Sequence, residues 1–326
     1  MWFENGAPLI MPFGYEELAV LALAVALDLV LGEPPAWAHP TVWMGRMTAF
    51  LEKRAPRNGA AGVAAGALIT VALTGLWGVA AYFAAEGLKS IHSVVYILVG
   101  GALLKSTFSI RMLHREAAKA QRCLDSGDIE GVRAQMPALV SRDPSRLTAQ
   151  QATAATVESV SENISDSFLG PWLAFALFGL PGAFAYRAIN TLDSMIGYRG
   201  AYEYLGKASA RLDDLINLIP ARLSGLLLVG ASALLPGQRA QNAWRIMWRH
   251  HGRTQSPNAG WTMSGMAGAL GVQLEKVAPD GGYKLGESTR ALEPQDITRA
   301  VQTMYVVAAF GLVLALIVAS LRTGLF

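Results

Sequence analysis

Long apolar runs alternate with charged stretches along the chain, and several of these runs are long enough to span a membrane. A transmembrane helix needs about 20 mostly apolar residues. Clean candidate spans lie at residues 18–34, 60–85, 91–108 and 301–321. Two further apolar segments are irregular, at residues 168–189 and 218–235. The pattern predicts an all-α, polytopic integral membrane bundle that forms one domain over residues 1–326.

The two irregular segments contain residues that interrupt helices or that are costly in lipid. Gly179 and Pro181 are among the residues that break the first segment, and Arg222 lies near the start of the second. Broken helices at membrane depth are tolerated only where they are buried in protein or line a cavity. We therefore expect broken or re-entrant helices around a polar pocket.

The path of the chain after residue 168 has two alternatives. If the segment 168–189 crosses the membrane, the polar stretch 190–217 lies on the opposite side from the basic segment 105–165. If the segment is re-entrant, the polar stretch and the basic segment lie on the same side. The hydrophobic pattern by itself does not distinguish these alternatives.

Composition supports the membrane prediction. The chain is 52% hydrophobic and 16% charged, whereas soluble domains contain about 25% charged residues. Its basic residues are distributed between apolar runs rather than in one tract, which argues against nucleic-acid binding. The single cysteine, Cys123, excludes a disulfide framework and a metal site built on cysteines.

The distribution of Lys and Arg predicts the orientation of the chain. Residues 1–17 contain neither, whereas residues 32–59 and the amphipathic segment 105–165 are basic. Because basic loops stay on the cytoplasmic side, we expect the N-terminus outside and these two segments in the cytoplasm. The sequence of residues 236–300 contains a Gly-rich part and predicts helix and a turn at 279–282.

An acidic stripe precedes the first irregular segment. Glu158, Glu162 and Asp166 are spaced four residues apart, and like charges at this spacing repel each other on a helix. One interpretation is a solvated helix face. The other is a site for Mg²⁺, which favours hard oxygen ligands and often binds substrate phosphates as well.

Two more polar clusters follow the irregular segment. In the first, residues 186–199, an acid, a base and an amide share one helix face. This combination suits a ligand with several functional groups. The alternative is that the charged residues simply mark the end of the apolar segment. In the second, residues 207–222, charged side chains align at helical spacing, which is also typical of surface ion pairs. The side chains concerned are Arg187, Asn190, Asp193, Ser194, Lys207, Arg211, Asp213 and Asp214.

Arg222, His39 and Asn258 complete the candidates. An arginine in an apolar segment usually faces a cavity or a partner, although Arg222 has the alternative of snorkelling towards the membrane surface. His39 precedes a proline in a predicted loop, where a lone histidine is more often structural. Asn258 lies at a predicted helix start, where free N–H groups favour anions. Together these clusters predict a mixed-charge pocket for an anionic or phosphorylated ligand.

In this order, the clusters resemble one family, the membrane cobalamin-biosynthesis proteins CobD and CbiB, which are adenosylcobinamide-phosphate synthases. The resemblance covers nearly the whole chain. It rests on the strings DLVLGEPP, HPTVWMGR, VESVSEN, NTLDSMIGYR, ASARLDDLINLIPARL, SPNAGW and MAGALGV. The chain departs from the family pattern at Glu33, Ala38 and Thr262, where Asp, Pro and Pro are usual.

The resemblance implies an ATP-dependent ligase. It would join (R)-1-aminopropan-2-ol, or its O-phosphate, to a propionate carboxylate of adenosylcobyric acid, with Mg²⁺ bound to the nucleotide. The expected location is the cell inner membrane with the active site on the cytoplasmic side. The protein would contact the lipid bilayer and no nucleic acid, as a homo-oligomer or in a complex with other late corrinoid-pathway proteins.

The resemblance also indicates that the polar clusters carry the function, and roles are assigned to them on that basis. The expected metal ligands are Glu158, Glu162 and Asp166. The expected catalytic residues are Asp193, Asp213 and Asp214, one of which would act as general base. The expected substrate-binding residues are His39, Asn190, Lys207, Arg211, Arg222 and Asn258.

Two other functions remain open at this point. DDLIN at 213–217 is similar to the Asp-rich signatures of Mg²⁺-dependent membrane prenyltransferases, but it lacks their terminal acid. A corrinoid transporter or binding subunit would also contain broken helices and intramembrane charge. No inverted repeat is visible in the sequence, which weakens the transporter hypothesis.

Overall fold

The computed structural model describes residues 15–140, 143–198, 200–276 and 282–324. Within this part of the chain the fold is helical, and the prediction of an all-α membrane bundle is confirmed. A small antiparallel hairpin of β1 (Gln273–Lys276) and β2 (Tyr283–Gly286) is the one addition. Apart from Gly282, the turn predicted at 279–282 lies outside the described residues.

The helices follow one another with short connections. Their bounds are α1 (Tyr15–Leu31), α2 (Pro40–Glu52), α3 (Gly59–Ile91), α4 (Ser93–Lys105), α5 (Arg111–Asp125), α6 (Ile129–Gln135), α7 (Ala149–Ile164), α8 (Gly170–Ile196), α9 (Lys207–Ile216), α10 (Leu218–Leu234), α11 (Ala240–His250), α12 (Ala259–Leu270) and α13 (Gln295–Arg322). A π-helical turn, Ser165–Leu169, connects α7 to α8.

Three stretches of the described chain are long and apolar enough to cross a membrane: α3, the run from α7 through α8, and α13. The pair α9 and α10, bent by 47°, is a fourth candidate. The predicted spans at 18–34 and 91–108 form shorter helices: α1 has 17 residues and α4 has 13. At 1.5 Å per residue, α4 is about 20 Å long, which is less than the apolar thickness of a bilayer.

The run from α7 through α8 doubles back on itself. Gly179 has φ 68° and ψ −159°, a conformation that glycine adopts without steric cost. A Cβ atom at Gly182 would lie only 2.4 Å from the carbonyl oxygen of Ala174, whereas residues eight apart in a straight helix are about 12 Å apart. Residues 149–196 are therefore a helical hairpin with its tip at Gly179. The chain returns to the end of the bundle from which it came, as the re-entrant alternative expects.

Ion pairs hold the tip of the helical hairpin at one end of the bundle. Lys89 of α3 donates to Glu17 of α1 at 3.2 Å, and Arg322 of α13 lies 3.7 Å from the same carboxylate. Arg322 also donates to the carbonyl oxygen of Phe175 at 3.4 Å, just before the tip. We call this the tip end, and we call the opposite end, which holds residues 162–166 and 190–217, the site end.

The core lies between the helical hairpin, α1, α4, α12 and α13. Phe168 and Trp172 are fully buried and contact each other, and Trp172 also packs edge-on against Phe108. Close contacts between α11 and α12 depend on glycine, since a Cβ atom at Gly268 would lie 2.6 Å from the carbonyl oxygen of Asn242. Small residues allow two helices to approach closely in this way.

Candidate functional site

The helical hairpin and α9 bring carboxylates from three chain segments to the site end. Asp166 lies within electrostatic range of Glu162, Asp193 and Asp213, and Asp193 lies within range of Asp214 as well. Glu162 is exposed, Asp166, Asp193 and Asp214 are half-buried, and Asp213 is buried. We call these five residues the acidic cleft. It joins two of the three predicted metal ligands with all three predicted catalytic residues.

A proline explains the irregular turn that carries Asp166. Pro171 has no N–H, so the carbonyl oxygen of Ser167, four residues earlier, lacks its helical donor. The backbone N–H of Ser109 replaces that donor at 3.0 Å. The chain passes through a π-helical turn here, and such turns are frequent at functional sites. The hydrogen bond from Ser109 therefore connects the segment after α4 to the turn that carries Asp166 in the acidic cleft.

Amide side chains orient Asp213. Asn217 donates to one carboxylate oxygen of Asp213 at 2.9 Å, and Asn190 lies 3.5 Å from the other. Tyr186 in turn donates to Asn217 at 2.6 Å, and Arg187 donates to Asn190 at 3.2 Å. Because each partner is held by another residue, Asp213 has a defined direction towards the cleft.

Asp214 connects the cleft to the start of α12. Ser256 donates to its carboxylate at 3.2 Å, and the side chain of Asn258 donates to its backbone carbonyl at 2.8 Å. Arg222 donates to the amide oxygen of Asn258 at 3.3 Å and lies 5.0 Å from the ring centroid of Trp261. Arg222 therefore has partners inside the protein, which favours the cavity alternative over snorkelling.

Lys207 precedes the two aspartates of α9 by nearly two turns, and Arg211 precedes them by less than one turn. Neither side chain makes an ion pair or hydrogen bond with any residue that the structure describes. The surface ion pairing that the spacing of Lys207, Arg211 and Asp214 suggested is therefore absent within the described chain. Both cations are available for an anionic ligand.

A buried ion network lies next to the cleft. Lys105, at the end of α4, lies 3.0 Å from Asp28 of α1 and 3.0 Å from Glu33. The side chain of Asp28 is fully buried, and its second oxygen accepts from the backbone N–H groups of Ile110 and Arg111 at the start of α5. The network joins α1, α4 and α5 at the site end.

Glu33 connects this network to His39 and to the cleft. Its second oxygen lies 2.8 Å from Nε2 of His39, and Arg187 lies within electrostatic range of both Glu33 and Asp166. His39 is thus close to the cleft, although its direct partner is a carboxylate of the protein. The motif DLVLGEPP contains both Asp28 and Glu33. Lys105 is not among the residues selected from the sequence, although a cation directly after an apolar run was the available signal.

Lowering the pH should remove the stabilisation that Glu33 provides. Burial raises the pKa of Glu33, but the hydrogen bond with His39 and the charge of Lys105 outweigh burial and lower the pKa from 4.5 to about 2. The stabilisation is therefore present above pH 4.5 and is lost as the pH falls towards 2. The shift corresponds to about 3 kcal/mol. We expect Glu33→Gln to be less stable than wild type at neutral pH, with a difference that shrinks below pH 4.5.

Unfolding in detergent at a series of pH values measures this difference. Glu130→Gln is the matched control, because Glu130 is exposed and, among the described residues, its ion pair is with Arg133 three residues away on α6. A stability difference between wild type and Glu33→Gln that stays constant down to pH 3 would show that Glu33 is not held ionised by its neighbours.

Two of the three predicted metal ligands lie together in the acidic cleft. Glu158 is buried, whereas Glu162 and Asp166 belong to the cleft. Among the described residues, no group of three or more His, Cys, Asp or Glu side chains is arranged to hold a metal ion by itself. Mg²⁺ bound to a nucleotide needs only one or two protein carboxylates besides the phosphates, and the oxygen donors of Glu162, Asp166 and Asp193 fit that requirement. The three-carboxylate site stays a prediction.

Comparison with known proteins agrees with the resemblance of the motifs. The model of the family described as CobD/Cbib protein matches residues 21–304. A cobalamin biosynthesis protein CobD from Dehalococcoides mccartyi is 45% identical over 284 residues, which cover 87% of this chain and 91% of that protein. A probable CobD from Methanothermobacter thermautotrophicus is 38% identical, covering 92% of this chain and 99% of that protein.

A further relative carries the second name of the family. Cobalamin biosynthesis protein CbiB from Salmonella choleraesuis is 36% identical over 320 residues, which cover 94% of this chain and 99% of that protein. No solved structure matches the chain with significant similarity. The family model and these relatives extend over the acidic cleft and the buried ion network, so the chain belongs to the CobD/CbiB family.

Proposed function

We propose that this protein is an adenosylcobinamide-phosphate synthase that forms an amide between adenosylcobyric acid and aminopropanol phosphate, or the free amino alcohol, at the expense of ATP. Its role in cobalamin biosynthesis follows from its family. The observation that supports the reaction is the acidic cleft at one end of a membrane bundle. It lies beside Lys207 and Arg211, which have no ion-pair partner among the described residues. An acidic cleft with free cations suits a magnesium-bound polyphosphate.

The nucleotide is assigned to the part of the cleft formed by Glu162, Asp166 and Asp193. These three residues would supply oxygen ligands for Mg²⁺, and buried Glu158 remains a further candidate. Mg²⁺, when bound, would neutralise charge on the phosphates during transfer. Lys207 and Arg211 bind phosphate oxygens, for which the guanidinium of Arg211 offers two parallel hydrogen bonds. Without this neutralisation, the five carboxylates would repel a polyphosphate.

The carboxylate of the corrinoid is activated before it meets the amine. One of its oxygens attacks the γ-phosphorus of ATP, the bond to the bridging oxygen breaks, and ADP leaves. The product is an acyl phosphate, which is a much better acyl donor than a carboxylate. The attacking amine then displaces inorganic phosphate and forms the amide. The protein accelerates these steps mainly by holding the reactants in place.

Asp213 and Asp214 are assigned to the amine and its proton. The acceptor arrives as an ammonium ion, and Asp213 or Asp214 removes its proton as general base. The hydrogen bonds to Asp213 from Asn217 and to Asp214 from Ser256 direct these carboxylates. Arg222 binds the phosphate of the acceptor, and Asn190, Asn258 and His39 contact corrinoid amides or orient the acceptor.

The reaction can be assayed with purified components. Protein in detergent is supplied with adenosylcobyric acid, aminopropanol phosphate and Mg-ATP, and mass spectrometry follows the amide together with ADP and phosphate. We expect one ADP for each amide, and no amide when ATP or Mg²⁺ is omitted. Parallel reactions with the free amino alcohol identify the preferred acceptor.

Other outcomes would point to the rival functions. Release of diphosphate from prenyl donors would indicate a prenyltransferase, and movement of corrinoid across vesicles without ATP consumption would indicate a transporter. We also propose that the site end faces the cytoplasm at the inner membrane, because the basic segments lie at that end and ATP is available there.

A further inference from the structure

The outward face of α2 carries aromatic and basic side chains in one stripe. Trp43, Arg46, Phe50 and Lys53 are spaced by three, four and three residues, so they lie on the same side of the helix. All four side chains are exposed, Trp43 by 41% and Phe50 by 54%. The guanidinium of Arg54 lies 3.6 Å from the ring centroid of Phe50 and extends the stripe.

The inward face of α2 is fixed against the bundle. Met44 and Thr48 are buried, and a Cβ atom at Gly45 would lie 3.6 Å from the sulfur of Met195 in α8. Met47 and Leu51 pack against a buried cluster that α3 and α8 contribute to. Because this face is packed, the helix cannot turn its aromatic and basic stripe inwards.

Both ends of α2 are connected to helices with exposed apolar surfaces. The end of α1 exposes Leu31 by 72%, and Trp37, in the following turn, is exposed by 76% and accepts a hydrogen bond from Trp43 at 3.0 Å. After α2, the chain enters α3, whose outward residues include Leu68 and Val71. Exposed apolar side chains on these helices indicate lipid contact, and tryptophans favour the boundary between lipid and water.

The cations of the stripe have little competition inside the protein. Arg46 and Lys53 make no ion pair or side-chain hydrogen bond with any described residue. The two acids in this region are engaged elsewhere, since Glu33 is paired with Lys105, and Glu52 with Arg57 and Tyr202. The stripe is therefore positively charged and unneutralised.

We infer that α2 is an interfacial helix that binds the phosphate groups of anionic phospholipids at the site end of the bundle. Trp37 and Trp43 lie at headgroup depth, and Arg46, Lys53 and Arg54 contact the negatively charged surface. Basic residues next to a membrane segment are attracted to anionic lipid in this way. The inference concerns lipid binding and is independent of the proposed reaction.

Native mass spectrometry of the detergent-solubilised protein tests this binding. The protein is titrated with dioctanoyl phosphatidylglycerol and, separately, with dioctanoyl phosphatidylcholine. We expect wild type to prefer phosphatidylglycerol, and Arg46→Gln/Lys53→Gln to lose about fivefold in affinity for each charge removed. Arg122→Gln/Arg146→Gln removes the same charge elsewhere and should keep the preference. A photoactivatable phosphatidylglycerol should label residues 37–57 in wild type.

Either of two results would overturn the inference. One is equal binding of phosphatidylglycerol and phosphatidylcholine by wild type. The other is an equal loss of affinity in the test variant and in the control variant, which would show attraction by net charge alone. Size-exclusion profiles and circular dichroism of both variants are compared with wild type, so that a loss of binding by a folded variant can be distinguished from unfolding.

Discussion

Asp214→Asn is expected to lower the rate of amide formation by at least about 100-fold, while the protein remains folded. Loss of a general base typically costs a factor of 10² to 10⁴. The asparagine has the same shape and can still accept the hydrogen bond from Ser256, so the connection between α9 and α12 is kept. Single-turnover measurements of amide formation, with substrate binding measured separately, distinguish lost chemistry from lost affinity.

Glu162→Gln provides the matched comparison in the same cleft. If Glu162 is a Mg²⁺ ligand, this variant should need a higher Mg²⁺ concentration for half-maximal activity, and excess Mg²⁺ should restore part of the rate. Asp214→Asn should show no such rescue. Asp143→Asn, an exposed aspartate in a connecting loop, serves as control. Full turnover by Glu162→Gln would show that Glu162 is not a metal ligand. Full turnover by Asp214→Asn would exclude Asp214 as the general base and leave Asp213 as the remaining candidate.

Lys105→Met is expected to destabilise the fold by about 3–5 kcal/mol, because it leaves the buried carboxylate of Asp28 without its cation. Methionine has a similar length and suits an apolar surrounding, so lost packing contributes little. The carboxylate of Asp28 is fully buried and keeps only its two backbone donors. Chemical unfolding in mixed micelles, followed by tryptophan fluorescence, measures the loss.

The double variant Asp28→Asn/Lys105→Met separates charge from shape. Asparagine still accepts a hydrogen bond from Ile110 or Arg111, and the buried charge of Asp28 is removed, so we expect much of the stability to return. The remaining loss reflects half-buried Glu33, which also loses Lys105 and keeps His39 as a partner. Lys119→Met is the control, since Lys119 pairs with Glu116 near the surface and such pairs contribute under about 1 kcal/mol. A loss in Lys105→Met no larger than that of the control would contradict the role of the network.

The local features of the fold follow from sequence. The apolar runs at 60–85 and 301–321 became α3 and α13, because runs of this length have few alternatives in lipid. The helix starting at residue 15 ends at Leu31, because Gly32 has a positive φ of 77° and two prolines follow Glu33. The motif strings identified the family, and most of the residues selected from them lie at one end of the bundle.

Tertiary structure alone decided which of these segments meet. Spacing along the chain predicts which side chains share a helix face, but it does not predict contacts between residues that are far apart in sequence. Asp28 and Lys105 pair across 77 positions, and Asn190 approaches Asp213 only because α9 packs against the second arm of the helical hairpin.

The reversal of the chain at Gly179 also depends on both the sequence and the tertiary contacts. Glycine and proline in residues 168–189 predicted a break, but a break permits either a kinked span or a hairpin. The hairpin results from contacts across the two arms, such as the approach of Gly182 to Ala174, and from the ion pairs that hold the tip. The sequence by itself determined a membrane-embedded helical chain with the motifs of its family. Packing between distant helices decided that its carboxylates converge, because burial of the helices' apolar faces and hydrogen bonds such as that from Asn217 to Asp213 outweigh the repulsion between like charges.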